Sequence, residues 1–512
     1  MSRKEEFSKV ILEGYEFSGP SIVLGGAILD GESFPGELIR LPLRTMNRHG
    51  LIAGATGTGK TKTLQTITEG LSEAGVPVLL MDIKGDLSGI ALTGESNAKI
   101  EERHKKIGIP FSPKKFPVEL YSLSNEKGAR LRATVTEFGP VLFSKILDLN
   151  DTQSGIVSLI FKLSDDERLP LLDLKDFKSM LNYVTNEGKE KVEKLYGKIS
   201  AASTGTILRK VIELEQQGAD KFFGETSFDV EDLLQKDAAG NGTVSIIKLT
   251  DIQDRPKLFS TFMLSLLAEV YAKFPEAGDL DKPKLVIFID EAHLIFDEAS
   301  KALNDQIETI IKLIRSKGVG IFFCTQNPAD IPASILGQLG MKVQHALRAF
   351  TANDRKMIKM TAENYPITDF YKTEELLTSL GIGEAAVTVL SEKGTPTPLA
   401  ATLLRAPQSR MGVLTETETE QLVKNSKLAS KYNQVIDRES AYEILTQKID
   451  KIDEEEGEKE EAKKVKTSRK QEKSTMEKVL DSSLTKQIGR TVFTELTRGL
   501  LGALGLKTTR RR

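Results

Sequence analysis

The sequence predicts an α/β fold with a mainly parallel sheet, a helical insertion and a helical C-terminal tail. From His49 onward, short apolar runs alternate with helical stretches. The runs are Leu51-Ile52-Ala53, Val76–Met81, Val118–Tyr121, Val244–Leu249, Leu285–Ile289, Val319–Cys324 and Ala385–Leu390. Leu285–Ile289 is apolar at every position, as a strand covered on both faces must be, and strands separated by helices read as a parallel sheet. Residues 141–238 break this rhythm. They hold no strand run, and apolar residues recur there at helical spacing, as at Leu142, Ile146 and Leu149 and at Ile207, Val211 and Leu214.

In chain order, residues 1–45 carry the apolar runs Ile22-Val23-Leu24 and Leu38-Ile39-Arg40-Leu41 between Gly and Pro, and read as a β-hairpin lead-in. Residues 46–140 form the first part of the core and 141–238 the insertion, which closes at the turn Ala238-Ala239-Gly240-Asn241-Gly242. Residues 239–412 form the second part of the core, and 413–452 a helical extension. Residues 453–475 are almost all charged or polar and read as a solvated linker. Residues 476–512 place Leu480, Leu484, Ile488, Val492, Leu496 and Leu500 four apart, an amphipathic helix that ends in three arginines. Its polar face mixes Glu495 with Lys486 and Arg490, which suits self-association or a partner helix better than a membrane surface.

A chain of 512 residues exceeds one ordinary core, so one large domain with appendages, or two domains, is expected. Lys+Arg number 71 against Asp+Glu 73, so any grip on nucleic acid must come from local basic groups, such as those of a pore. The single cysteine, Cys324, lies in an apolar run, so one chain can build neither a disulfide framework nor a zinc knuckle. The N-terminus carries acids instead of a secretory apolar core, and no run reaches the ~18 apolar residues of a membrane span. A cytoplasmic protein without stable membrane insertion is expected.

The strongest chemical signal is Gly54-Ala55-Thr56-Gly57-Thr58-Gly59-Lys60-Thr61, set between an apolar run and a helical stretch that begins with Lys62. Glycines let such a loop curl so that successive N–H groups face a polyphosphate, and the following helix adds its positive dipole end. Gly54 to Lys62 are therefore the expected nucleotide contacts, with Lys60 on the β- and γ-phosphates and the Thr61 hydroxyl on Mg²⁺. Leu285–Ile289 ends in Asp290-Glu291-Ala292-His293. Asp290 is the expected partner of the Mg²⁺ shell and Glu291 the general base that polarises water, a pairing that favours ATP hydrolysis over phosphate transfer to a substrate. His293 is expected to couple Glu291 to a neighbouring loop.

Val319–Cys324 leads into Thr325-Gln326-Asn327-Pro328, where the Gln326 amide is placed to sense a γ-phosphate; an ordinary strand-end turn is the competing reading. Asp82 and Asp86 end another strand and either border the nucleotide or serve a turn. A cation donated by a neighbouring subunit commonly completes such sites; among Arg315, Arg348 and Arg355, Arg348 is the choice. Arg103–Lys106 and Lys114-Lys115 are either pore groups or solvated loops. His49, His104 and His345 are isolated and improbable metal ligands.

The string Asp290-Glu-Ala-His293 also occurs in superfamily-two helicases, but no late Q-x-x-R-x-G-R motif follows and too few strands remain for a second core. The pattern instead resembles the HerA-like ATPases of the HerA/FtsK group of P-loop motors. The resemblance rests on His49–Thr61, Asp82-Ile-Lys-Gly-Asp86, Ile289–His293 and Thr325-Gln-Asn-Pro-Ala-Asp-Ile-Pro332. Arg132–Pro140, Gln344–Phe350 and the tail from Ile488 look like a bacterial stand-alone subfamily. The resemblance implies a RecA-like core, a homo-hexameric ring, ATP at subunit interfaces and double-stranded DNA in the channel. Residues 1–45 are too few for the N-terminal β-barrel through which typical members dock a nuclease, which leaves a nuclease or a protein effector as an open partner. The alternatives are an ATPase ring that remodels or regulates a protein effector, and a nucleotide-dependent scaffold.

Overall fold

In the computed structural model, which describes residues 2–124, 126–250, 255–278, 280–296, 301–434, 436 and 438–450, the chain forms two compact units. Among the described residues, one comprises 2–132 with 226–434, the other 133–225 with 436 and 438–450. The charged linker 453–475 and the amphipathic helix 476–512 lie outside the described residues.

The first unit carries the sheet. Its strands are β1 (Ser21–Leu29), β2 (Glu32–Pro42), β3 (Gly50–Ala53), β4 (Val78–Asp82), β5 (Val118–Ser122), β6 (Ala129–Arg130), β7 (Val244–Lys248), β8 (Leu285–Ile289), β9 (Val319–Thr325), β10 (Met341–Gln344), β11 (Glu384–Thr388) and β12 (Ala400–Leu404). Among the described residues their order is β2-β1-β12-β11-β10-β3-β9-β8-β4-β7-β5-β6. Every neighbouring pair from β10 to β6 is parallel. The four pairings from β10 out to β2 are antiparallel. The fold is thus α/β with a mainly parallel sheet. β3, β4, β8 and β9 are buried at every position, which is why their sequences run apolar without alternation.

The N-terminal hairpin is more than a lead-in: it forms one edge of this sheet. Asp30 and Gly31 turn it with φ of 52° and 80°, the left-handed pair that a two-residue hairpin turn requires. β1 then pairs with β12, Gly25 opposite Leu404. A Cβ at Gly25 would stand 2.1 Å from the Leu403 carbonyl oxygen, so only glycine allows that approach. Ahead of the hairpin lies a helix absent from the sequence reading, α1 (Arg3–Tyr15). Ser2 and Glu5 close a capping box at its start, and Phe7, Ile11 and Tyr15, four apart, are buried. The Tyr15 hydroxyl donates to the carbonyls of Val387 (2.9 Å) and Pro398 (2.7 Å), fastening α1 to the β11–β12 segment.

On the sheet, α2 (Lys60–Glu73) follows β3 directly and buries Leu64, Ile67 and Leu71. The Glu69 carboxylate accepts from the N–H groups of Gln408 (2.8 Å) and Ser409 (2.9 Å), tying the chain after β12 to α2. The second unit is helical: α4 (Val135–Ile146), α5 (Asp151–Glu167), α6 (Leu174–Thr185), α7 (Lys189–Tyr196) and α8 (Ala201–Gln216), the label α3 belonging to Ala98–Ile107 of the first unit. Capping boxes at Thr134, Asn150 and Asp173 start three of these helices. Phe143 and Phe177, with ring centroids 4.7 Å apart, join Ile207, Val211 and Leu214 in that unit's own buried set.

Candidate nucleotide site

Because β3, β9, β8 and β4 are adjacent and parallel, their C-terminal ends open on one edge of the sheet. Ala53 pairs with Thr325, and Ile289 with both Phe323 and Met81. The segments that follow, 54–59, 326–328, 290–293 and 83–86, therefore emerge side by side, where open α/β sheets hold ligands.

The 54–59 loop turns through three glycines of positive φ: Gly54 (147°), Gly57 (78°) and Gly59 (113°). Its backbone is pinned at several points. Gly54 N–H donates to Thr325 O (3.3 Å), Ala55 N–H to Ala346 O (2.9 Å), and Gly383 N–H to Thr58 O (3.0 Å). The Thr58 hydroxyl donates to Ala55 O at 2.7 Å. Lys60 folds back over the loop and donates to the carbonyls of Gly54 (2.6 Å) and Ala55 (3.1 Å). Burial, then the nearby Lys84, hold its pKa below the ordinary lysine value, against the pull of Glu291 and Asp290. Thr61 is half-buried in the first turn of α2, and Lys62 reaches along that helix to Gln65 Oε1 (3.3 Å).

Asp290 and Glu291 are both 6% exposed. Burial raises the Asp290 carboxyl to about 6, opposed by Lys84 and assisted by Glu291. Its Oδ2 is buried without a hydrogen-bond partner. A buried carboxylate oxygen with no protein donor, on a residue close enough to Lys60 to act on its charge, is the hard-oxygen environment that suits Mg²⁺. No group of three or more His, Cys, Asp and Glu residues surrounds it among the described residues. Glu291 has φ of 46°, in the left-handed region that a residue with a side chain enters at a cost of about 1–2 kcal/mol. Lys84 forms an ion pair with Glu291 Oε1, and His293 Nδ1 stands 3.4 Å from Oε2.

Gln326 lies beside the loop and accepts from the Thr56 hydroxyl at 3.2 Å. Asp82 serves its turn: the carboxylate accepts from the N–H groups of Gly85 (2.7 Å), Asp86 (3.2 Å) and Leu87 (3.0 Å). Burial nonetheless raises it to about 7. Asp86 Oδ1 is buried with no partner. Arg348 is exposed on the segment after β10, whose C-terminal end shares the loop's edge, and Arg355 is exposed in α13 (Ala352–Ala362, with α9 Pro256–Lys273, α10 His293–Phe296, α11 Lys301–Ile314 and α12 Ala333–Leu336 before it). Arg315 precedes β9 and so sits at the opposite end of the sheet in its own chain.

In the two basic stretches considered for a pore, Arg103 and Lys114 have partners within the chain. Arg103 donates to the carbonyls of Gly383 (3.0 Å), Ile382 (3.1 Å) and Leu404 (3.1 Å), and Lys114 pairs with Glu73 at 2.8 Å. Sequence reasoning missed Lys84, which is flanked by acids that drew attention to themselves. It also missed His345, taken there as isolated. His345 is buried against the loop: its Nε2 is 2.9 Å from the Thr63 hydroxyl, and a Cβ on Gly54 would stand 2.5 Å from its own. Both lie in stretches that carry the family resemblance, but the contacts they make are with partners distant in sequence.

The model of the helicase HerA-like C-terminal family matches residues 29–511. The DNA double-strand break repair helicase HerA of Sulfurisphaera tokodaii is 24% identical over 354 residues, which are 68% of this chain and 64% of that protein. Its counterpart from Saccharolobus solfataricus is 24% identical over 70% of this chain and 66% of its own length. The chain thus spans just under two thirds of the curated relatives it matches. Among solved structures, the bacterial conjugative coupling protein TrwB aligns with a TM-score of 0.51 at 13% identity, over 79% of this chain and 94% of that one, a likeness of fold.

Proposed function

This chain belongs to the helicase HerA-like C-terminal family, and on that premise we propose that it hydrolyses ATP with Mg²⁺ to drive movement along double-stranded DNA, as a homo-hexameric ring. The observation that carries the proposal is the buried Asp290–Glu291 pair opening on the same sheet edge as the glycine loop and Lys60. The loop N–H groups and Lys60 hold the polyphosphate, Lys60 leaving its carbonyl partners for the β- and γ-phosphates. Thr61 and Asp290 are the residues that would hold Mg²⁺, which would supply charge neutralisation on the phosphates. Glu291 takes a proton from water as its oxygen bonds to the γ-phosphorus; the bond to the β-phosphate oxygen breaks with its electron pair, leaving ADP and phosphate. Gln326, beside Thr56, senses the terminal phosphate, and Arg348 from a neighbouring copy stabilises its charge.

The test is ATP turnover with and without duplex DNA across a salt series. The proposal expects stimulation that falls steeply as salt rises, because contacts to phosphates release counterions. ATP turnover indifferent to DNA at low salt would point instead to a ring that remodels or regulates a protein partner.

A further inference from the structure

Resting on the nucleotide-site reading above, we infer that Lys84 restrains Glu291 until the terminal phosphate of ATP draws the lysine away. Its ammonium is paired with Glu291 Oε1, while Oε2 is buried without a hydrogen-bond partner. A carboxylate held by an ammonium is a weaker acceptor for water, since the adjacent positive charge draws on its electrons.

The restraint is built to move at one end only. The turn that carries Lys84 is fixed by the three N–H groups that Asp82 accepts and by Gly85 at φ 74°. The Lys84 side chain, in contrast, is 39% exposed on a flexible stem, whereas that of Glu291 is 8% exposed. The lysine is the mobile partner and the glutamate the fixed one, since its backbone is already confined to the left-handed region.

The charge balance says what moves it. Lys84 stands close enough to Lys60 to lower that residue's pKa, so two ammonium groups share one small region. Although partial burial works against its charge, the hydrogen bond to Glu291 and the charges of Asp290, Glu291 and Asp86 raise the pKa of Lys84. A triphosphate brings more negative charge to this region than the two carboxylates hold, and in the nucleotide-site reading its terminal phosphate faces Asp290 and Glu291. ADP lacks that phosphate and leaves the pair closed. Lys84 is therefore a positioning residue for Glu291 in the empty and ADP states, and a ligand of the γ-phosphate in the ATP state.

The experiment compares wild type, Lys84→Met and Lys84→Arg in the full chain. Binding of ADP and of a non-hydrolysable ATP analogue is measured beside steady-state kcat and KM. ADP affinity should stay within about twofold in both variants, whereas Lys84→Met should lose about tenfold of the preference for the analogue over ADP, with a lower kcat. Lys84→Arg, which keeps the charge, should restore the preference. Equal weakening of both nucleotides, or an unchanged preference in Lys84→Met, overturns the inference while leaving the ATPase reading intact. A wild-type chain that binds neither nucleotide contradicts the ATPase reading itself, and this inference with it.

Discussion

The Thr63 hydroxyl and Nε2 of His345 lie 2.9 Å apart, joining the first turn of α2 to the segment that leaves β10. His345 N–H also donates to Ala53 O at 2.7 Å, at the last residue before the glycine loop. Burial, reinforced by the charge of Lys60, lowers the imidazole to about 4, so at neutral pH it is an uncharged brace under the loop.

Replacing His345 by Ala should destabilise the chain by about 2–4 kcal/mol, from the cavity and the lost hydrogen bond to Thr63, and should raise KM for ATP. Thr63→Val removes the hydroxyl with its shape kept and should cost about 1–3 kcal/mol. Denaturant unfolding and steady-state kinetics check both.

Gly54→Ala should abolish nucleotide binding. Its Cβ would meet that of His345 at 2.5 Å, on a backbone of φ 147°. The expected loss of stability is about 2 kcal/mol or more. Gly57→Ala is the control: nothing stands within 4 Å of its Cβ, and only its φ of 78° opposes the change, at about 1 kcal/mol. Thermal melts with and without a nucleotide analogue separate the two.

His49 predicts an acid-sensitive fold. Its Nδ1 accepts from Ile321 N–H (3.0 Å) and its Nε2 donates to Ile311 O (2.9 Å), so the neutral ring uses both nitrogens. Burial lowers its pKa to about 4. The unfolded chain therefore binds more protons than the folded one, and the stability this group contributes is present above the unfolded value near 6.5 and is lost as pH falls toward 4. Between pH 7 and pH 5 wild type should lose about 2 kcal/mol more than His49→Gln, read from unfolding curves at the two pH values.

Much of the fold was legible because burial on both faces writes itself into composition. β8 and β9 are apolar at almost every position, and the glycine loop follows a strand and starts a helix. α1 was not legible: its buried stripe is only Phe7, Ile11 and Tyr15, and the neighbouring Val10 and Leu12 blur its spacing. β10, Met341–Gln344, is four residues long, and β12, Ala400–Leu404, is rich in small residues; both are strands because of their neighbours. At the candidate site, the acids Asp82 and Asp86 invited attention, but the lysine between them is the residue that reaches Glu291, and Asp82 is spent on its own turn. Ion pairs between residues some two hundred positions apart leave no periodic trace.

The most direct test is ATP turnover by Glu291→Gln beside wild type, with ATP binding measured on both. Loss of a general base with the fold intact should lower kcat by about 100-fold or more while ATP affinity changes by no more than about threefold. Turnover close to that of wild type would contradict the assignment of hydrolysis to Glu291 at the glycine loop.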